Sequence, residues 1–206
     1  MTGLRLFYSA TSPYVRKVMV VLHETGLLAQ VELVPASGSP VARGTAPVAQ
    51  NPLGKVPTRE RPEGGALYDS RVSCRYLDAR AGIRLYPAEP RLWDAITLES
   101  LADGMLDAAL LMVYEGRIRP EAARHAPWVE GQWEKIARAL DTLESRWLPY
   151  LAGPRCIGQI ALGCALGYLD LRHADRDWRA GHPELAAWEG RNATRDSFVA
   201  TVPPQA

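Results

Sequence analysis

The feature that most constrains this chain is the point at which its strand-like alternation stops. Leu4-Arg5-Leu6-Phe7-Tyr8, Val31-Glu32-Leu33-Val34, Lys55-Val56-Pro57-Thr58 and Ala66-Leu67-Tyr68 read as strands, and all lie before Pro87. Beyond Pro87 and Pro90 the apolar residues recur at helical spacing. Such a chain builds a small α/β domain followed by an all-helical one. The boundary falls at about residues 82–90, giving domains 1–83 and 90–206 within the 206-residue chain.

In the first domain, Ser12-Pro13 opens a helix whose apolar residues are Tyr14, Val15, Val18, Met19, Val21 and Leu22. Ser12 is a natural N-cap, Pro13 suits the first helical position and Gly26 closes the helix. Strand, helix and strand in succession imply a right-handed parallel βαβ unit. Ser37 to Gln50, rich in Pro, Gly, Ser and Ala, reads as loop with room for one short helix. Two short strands then flank the turn Pro62 to Gly65, and Asp69-Ser70 caps a helix ending at Gly82. Arg59-Glu60-Arg61-Pro62 stands where a sheet strand normally shows apolar residues, so this strand is expected to be short or frayed.

The second domain begins with a long helix marked by Leu92, Ile96, Leu101, Met105, Ala108 and Met112. Val129, Trp133, Ile136, Leu140, Leu143 and Trp147 form an apolar seam that needs a partner helix. Cys156 to Leu171 is apolar on nearly every face, the mark of a helix at the centre of a bundle. Pro183 to Thr194 supplies one more helix.

Composition excludes several functions. Lys plus Arg (24) nearly balance Asp plus Glu (23), so no basic field for nucleic acid exists. Met1 to Leu6 lacks the charged and apolar segments of a signal peptide, and no apolar run is long enough to span a bilayer. Cys74, Cys156 and Cys164 are odd in number and widely spaced, which suits a reduced cytoplasmic chain. His23, His125, His173 and His182 are scattered, so no metal is expected.

Three places could carry chemistry, and each also has a plain structural account. Ser12 sits at a helix N-terminus that favours anions and thiolates, though Ser-Pro before a helix is more often only a cap. Pro57 cannot donate to a sheet ladder and belongs at an edge, a turn or a cis bond. Were the bond cis, Val56 would turn its N–H and C=O outward to an extended ligand. Asp69-Ser70 caps a helix, or holds a carboxylate at Ser70 and an ammonium at Asp69.

The order of these segments resembles the glutathione transferase family over essentially the whole chain. The resemblance is carried by Ser12-Pro13-Tyr14-Val15-Arg16-Lys17-Val18, Asn51 to Thr58, Tyr68-Asp69-Ser70 and Tyr76-Leu77-Asp78. It continues through Ala161 to Asp170 and His182-Pro183 with Trp188. The nearest likeness is to bacterial serine-type members, distantly akin to the plant tau class. The resemblance implies a thioredoxin-like domain followed by a helical bundle. It implies glutathione as co-substrate, with Ser12 donating to its sulfur, Val56 before cis-Pro57 pairing with its cysteinyl backbone, Asp69 and Ser70 holding its γ-glutamyl end, and Lys55 reaching a carboxylate. Tyr8, Ser9 and Thr11 compete with Ser12 for the sulfur. Met105, Ala108 and Met112, with Tyr8, are candidates for the acceptor pocket, and core packing is the simpler account of the two methionines. The implied reaction is conjugation of glutathione to a small hydrophobic electrophile, a detoxification, by a cytoplasmic homodimer that uses no metal, nucleic acid or membrane. The alternative is a non-catalytic binding or protein-interaction module on the same fold.

Several residues depart from the family pattern. Ser12 and Val15 stand where glutaredoxins carry cysteines, so thiol–disulfide exchange at this site is not expected. Cys156 and Gln159 replace the usual Ser or Thr and Asp at the start of the buried helix, and cysteine is a poor acceptor for a cap N–H. Ser73, Arg75 and Glu189-Gly190 interrupt their helices.

Overall fold

A computed structural model describes residues 3–204, so Met1 and Thr2 lie outside the described residues. The chain divides into two compact units. The first runs to Ala88 and also contains the segment from Asp196 onward; the second is Glu89–Arg195.

In the first unit, β1 (Leu4–Tyr8), α1 (Pro13–Glu24) and β2 (Val31–Pro35) form the parallel βαβ element. β3 (Thr58–Arg61) pairs antiparallel with β1, and β4 (Gly64–Leu67) antiparallel with β3, giving the order β2-β1-β3-β4. α2 (Ser70–Ala81) completes this thioredoxin-like unit. The apolar pattern of α1 is spent on the core: Val15, Val18, Val20, Val21 and Leu22 are all buried. Gly82 stops α2 in the left-handed region at φ 68°, which glycine enters without a Cβ penalty.

One strand expectation and one loop expectation need correcting. The strand after Pro57 begins at Thr58, where it was expected to end, and the charged run Arg59-Glu60-Arg61 is itself the strand. Glu60 in that run is paired: Arg5 of β1 donates to it at 2.7 Å and to Glu32 of β2 at 3.1 Å, a ladder across three strands. The register does shift between Arg59 and Arg61, so only the far end is irregular. No helix forms between Ser37 and Gln50.

The second unit is helical. α3 (Arg91–Ile118) and α4 (Ala126–Thr142) pack together, and α4 runs on through a π turn, Leu143–Trp147, into the short α5 (Leu148–Leu151). α6 (Ile157–Arg172) is buried along almost its whole length, and α7 (Pro183–Ala193) follows. α6 lies alongside α3: a Cβ on Gly158 would come within 2.8 Å of Ala95 O and Leu98 Cβ, so glycine is what permits this approach. At the other end His173 Nε2 meets Ala109 O at 3.0 Å. The start of α6 is capped from inside: Gln159 Oε1 accepts from the Cys156 N–H at 2.8 Å, and Gln159 Nε2 donates to Leu151 O and Gly153 O. Neither Ser73 and Arg75 nor Glu189-Gly190 breaks its helix.

The end of the chain departs from the expected boundary. α8 (Asp196–Val199) belongs to the first unit, not to the helical domain assigned to 90–206. Phe198 is buried, Arg16 stacks over its ring, and Ser197 Oγ donates to Glu24 at 2.7 Å. Isolated Phe and Ser near a chain end give no periodic signal, so the sequence pattern could not place them.

Candidate functional site

The first unit gathers three sets of polar groups, each positioned by a local feature of the sequence. The first is the start of α1. Ser12 is its N-cap, in extended conformation at φ −80° and ψ 121°, and its Oγ accepts from the Val15 N–H at 3.3 Å. That contact uses one acceptor position and leaves the hydroxyl hydrogen to donate outward. Ser12 N–H in turn donates to Ser9 O at 3.1 Å, which closes the loop after β1. Tyr8 ends β1 and is half-buried, as are Ser9 and Thr11.

The second is the loop before β3. Asn51 is buried and ties it together: Nδ2 donates to Lys55 O and to Thr58 Oγ1, both at 3.1 Å, and Oδ1 accepts from the Leu53 N–H at 3.0 Å. Thr58 Oγ1 donates to Lys55 O at 2.7 Å, and Gly54 turns the chain at φ 61°. The Val56-Pro57 bond is cis. Val56 precedes the ladder, and among the described residues its N–H and C=O have no hydrogen-bond partner. Lys55 is exposed beside it. Earlier in the same loop, Val41, Arg43, Val48 and Leu53 line a cavity of about 320 Å³.

The third is the start of α2. Asp69 caps it by accepting from the Arg71 N–H at 2.9 Å, and Ser70, the first helical residue, is buried. Asp69 also has a side-chain partner that sequence reasoning missed, since Arg71 Nη2 reaches its carboxylate at 2.8 Å. Partial burial opposes the Asp69 charge, but the Arg71 bonds and the nearby Lys17 outweigh it and hold the carboxyl below its ordinary value. The Tyr68-Asp69 peptide is cis as well, which nothing in the side-chain pattern announces.

The residues offered for the acceptor pocket fare differently. Met105, Ala108 and Met112 are buried in the second unit, on the helix that packs against α4 and α6, and core packing accounts for them. Among the described residues no group of three or more His, Cys, Asp or Glu is placed to hold a metal ion. Nor is any helix among them long and apolar enough to cross a membrane.

Comparison with known proteins agrees with this layout. Residues 11–80 match the family model described as glutathione S-transferase, N-terminal domain, and residues 126–191 match the C-terminal domain model. The chain is 33% identical to the uncharacterized GST-like protein YibF of Escherichia coli K12, over 98% of this chain and all of that one. Among solved structures, a glutathione transferase family member from Pseudomonas fluorescens Pf-5 with bound glutathione is 46% identical, covers 98% of this chain and 100% of its own, and superposes with a TM-score of 0.95. The same protein has been seen with S-(propanoic acid)-glutathione, at a TM-score of 0.91 and the same coverage.

Proposed function

Since the chain belongs to the glutathione transferase family, we propose that its first unit binds reduced glutathione and that the protein conjugates the whole tripeptide, through its sulfur, to a small hydrophobic electrophile. The observation that carries this reading is the Ser12 hydroxyl, held as an acceptor by the Val15 N–H with its hydrogen left to donate. Val56, with an unpaired N–H and C=O, pairs with the cysteinyl backbone. The Ser70 hydroxyl and N–H hold the γ-glutamyl carboxylate at the start of α2, and Asp69 holds the ammonium, shared with Arg71. Lys55 takes the remaining carboxylate. The Pseudomonas relative that holds S-(propanoic acid)-glutathione, a thioether of the tripeptide, supports conjugation at the glutathione sulfur as the chemistry.

In the reaction the thiolate sulfur attacks the electrophilic carbon and the C–S bond forms. The carbon's electron pair leaves with a departing group or, in addition to an alkene, is taken up by a proton. Ser12 stabilises the sulfur anion before attack. Magnitudes limit what this contributes. A thiol of pKa roughly 8.5 is about 3% ionised at pH 7, and lowering it by ~2 units gives some 25-fold more thiolate. Nucleophilicity falls by about 8-fold in compensation, so the net gain is only ~3-fold. Holding the electrophile against the sulfur, for which roughly 7–11 kcal/mol is available, supplies most of the acceleration.

The reading includes a homodimer, supported by exposed apolar residues such as Trp93 and Leu111 on α3. It includes a cytoplasmic location, supported by three buried cysteines outside any disulfide. The one observation favouring a non-catalytic binding protein is that Asp69 already has a cationic partner in Arg71. Ser12→Ala separates the two. Turnover with a panel of electrophiles should fall while calorimetric glutathione affinity stays within a few-fold; unchanged turnover, or none in the wild type, refutes the catalytic reading.

A further inference from the structure

Arg59 is the residue whose placement the fold does not explain. It lies in β3 opposite Leu6 of β1 and Leu67 of β4, where an apolar side chain would complete the layer. It is 0% exposed. The guanidinium carbon stands 3.9 Å from the centroid of the Tyr76 ring, and Nε, Nη1 and Nη2 all lack a hydrogen-bond partner. Burial draws its pKa down to about 10, so the group remains a cation at neutral pH.

The groups around it do not neutralise it. Tyr76 and Cys74 face it from α2, and Glu63 from the turn between β3 and β4. Glu63 is exposed and is engaged by the Tyr76 hydroxyl, while Arg61 and Arg80 also approach Tyr76. Asp78, the buried acid of α2, accepts from the N–H groups of Leu85 and Tyr86 instead. A buried guanidinium without a counter-ion is strongly destabilising, and each unsatisfied buried group calls for an explanation. Polar groups that break the rules of a core concentrate where function needs them.

Position supplies the explanation. Arg59 is two residues beyond the cis Pro57 and three beyond Val56, at about 3.3 Å per strand residue. Tyr76, on which it stacks, is less than two helical turns from Ser70. We infer that Arg59 is a buried counter-charge for bound glutathione: a positioning residue that favours the thiolate and γ-glutamyl carboxylate through its field, without touching either. The inference rests on the glutathione reading given above. Three strand residues span about 10 Å, and a unit charge at that distance, in an effective dielectric of about 20, shifts an ionisation by on the order of tenfold, or about one pH unit.

The test follows the ultraviolet absorbance of the thiolate as glutathione bound to the full-length protein is titrated with base. Arg59→Met removes the charge and keeps most of the volume; Arg59→Gln is a second neutral replacement should the first fail to fold. Cys74→Ala disturbs packing beside Arg59 and leaves the charge. The bound thiol pKa should rise by about one unit in either neutral variant and stay at the wild-type value in Cys74→Ala. An unchanged pKa in a neutral variant that still binds glutathione overturns the inference, as does an equal rise in Cys74→Ala, which would mark a packing effect. A wild-type protein that shows no bound thiolate overturns the glutathione reading first and this inference with it.

Discussion

Strand β3 and helix α6 are both buried, and they reach the interior by opposite routes. α6 goes in as a run of Ile, Ala, Leu, Gly and Cys, with its one long polar residue near the start, Gln159, satisfied by three backbone groups. β3 goes in with Thr58 and Arg59 fully buried and Glu60 and Arg61 half-buried, and only some of its polar groups find partners. Thr58 is answered by Asn51 and Lys55, and Glu60 by Arg5 and Gln50, whereas Arg59 has only the face of Tyr76. The element that carries stability thus obeys the burial rules closely. The element that leads out of the Val56-Pro57 loop does not.

The contrast can be broken by substitution, most forcefully in α6. Leu162→Ala removes a fully buried side chain and should cost about 2–5 kcal/mol, read as a lower denaturant midpoint. A loss well under 1 kcal/mol would mean that α6 is not the rigid centre described. The opposite sign is expected in β3: Arg59→Met should stabilise the protein by about 1–4 kcal/mol, because an apolar isostere removes an uncompensated buried charge. Destabilisation there would show that Arg59 is satisfied in solution by a partner the fold does not reveal.

Those two positions also show what a sequence discloses. The centre of α6 was legible because apolar residues cover nearly every face, a pattern that survives single exceptions such as Gln159. The caps at Ser12 and Asp69 were legible as local chemistry within four or five residues, and the βαβ unit as a change of apolar period from strand to helix and back between Leu4 and Pro35. Arg59 could be recognised as out of place, but not assigned, since its environment comes from Leu6, Leu67 and Tyr76, which are distant in the chain. The Arg71 bond to Asp69 was overlooked although the two are near neighbours, because a helix cap was a sufficient account of Asp69. Asn51 stands in a recognisable motif, but its bonds to Lys55, Thr58 and Leu53 exist only once the loop is folded and leave no mark in the residue pattern.

Two smaller experiments sharpen the comparison at the helix starts. Cys156→Ser supplies α6 with a better acceptor for its cap and should add on the order of 1 kcal/mol, seen as a rise of about 2–4 °C in Tm. A neutral or lower Tm would mean that the Tyr150 hydroxyl, 3.5 Å from the Cys156 sulfur, depends on sulfur there. At α2 the effect is set by pH. Asp69 has a folded-state pKa below its ordinary value, so its contribution is fully present above the unfolded value near 3.8 and is lost as pH falls through the folded one. Asp69→Asn keeps a cap and removes the titration. The Tm difference between wild type and variant should therefore shrink in strong acid, and a gap independent of pH would exclude the carboxylate as its source.

The return of α8 to the first unit has a consequence for how the chain is made. Synthesis proceeds from the N-terminus, so β1 to α2 emerge long before Phe198, the side chain that packs beneath Arg16. The whole helical unit must leave the ribosome in between. The first unit, although first in sequence, is the second to be completed, and until then the seat of Phe198 on α1 lies open to whatever chaperone or protease reaches it.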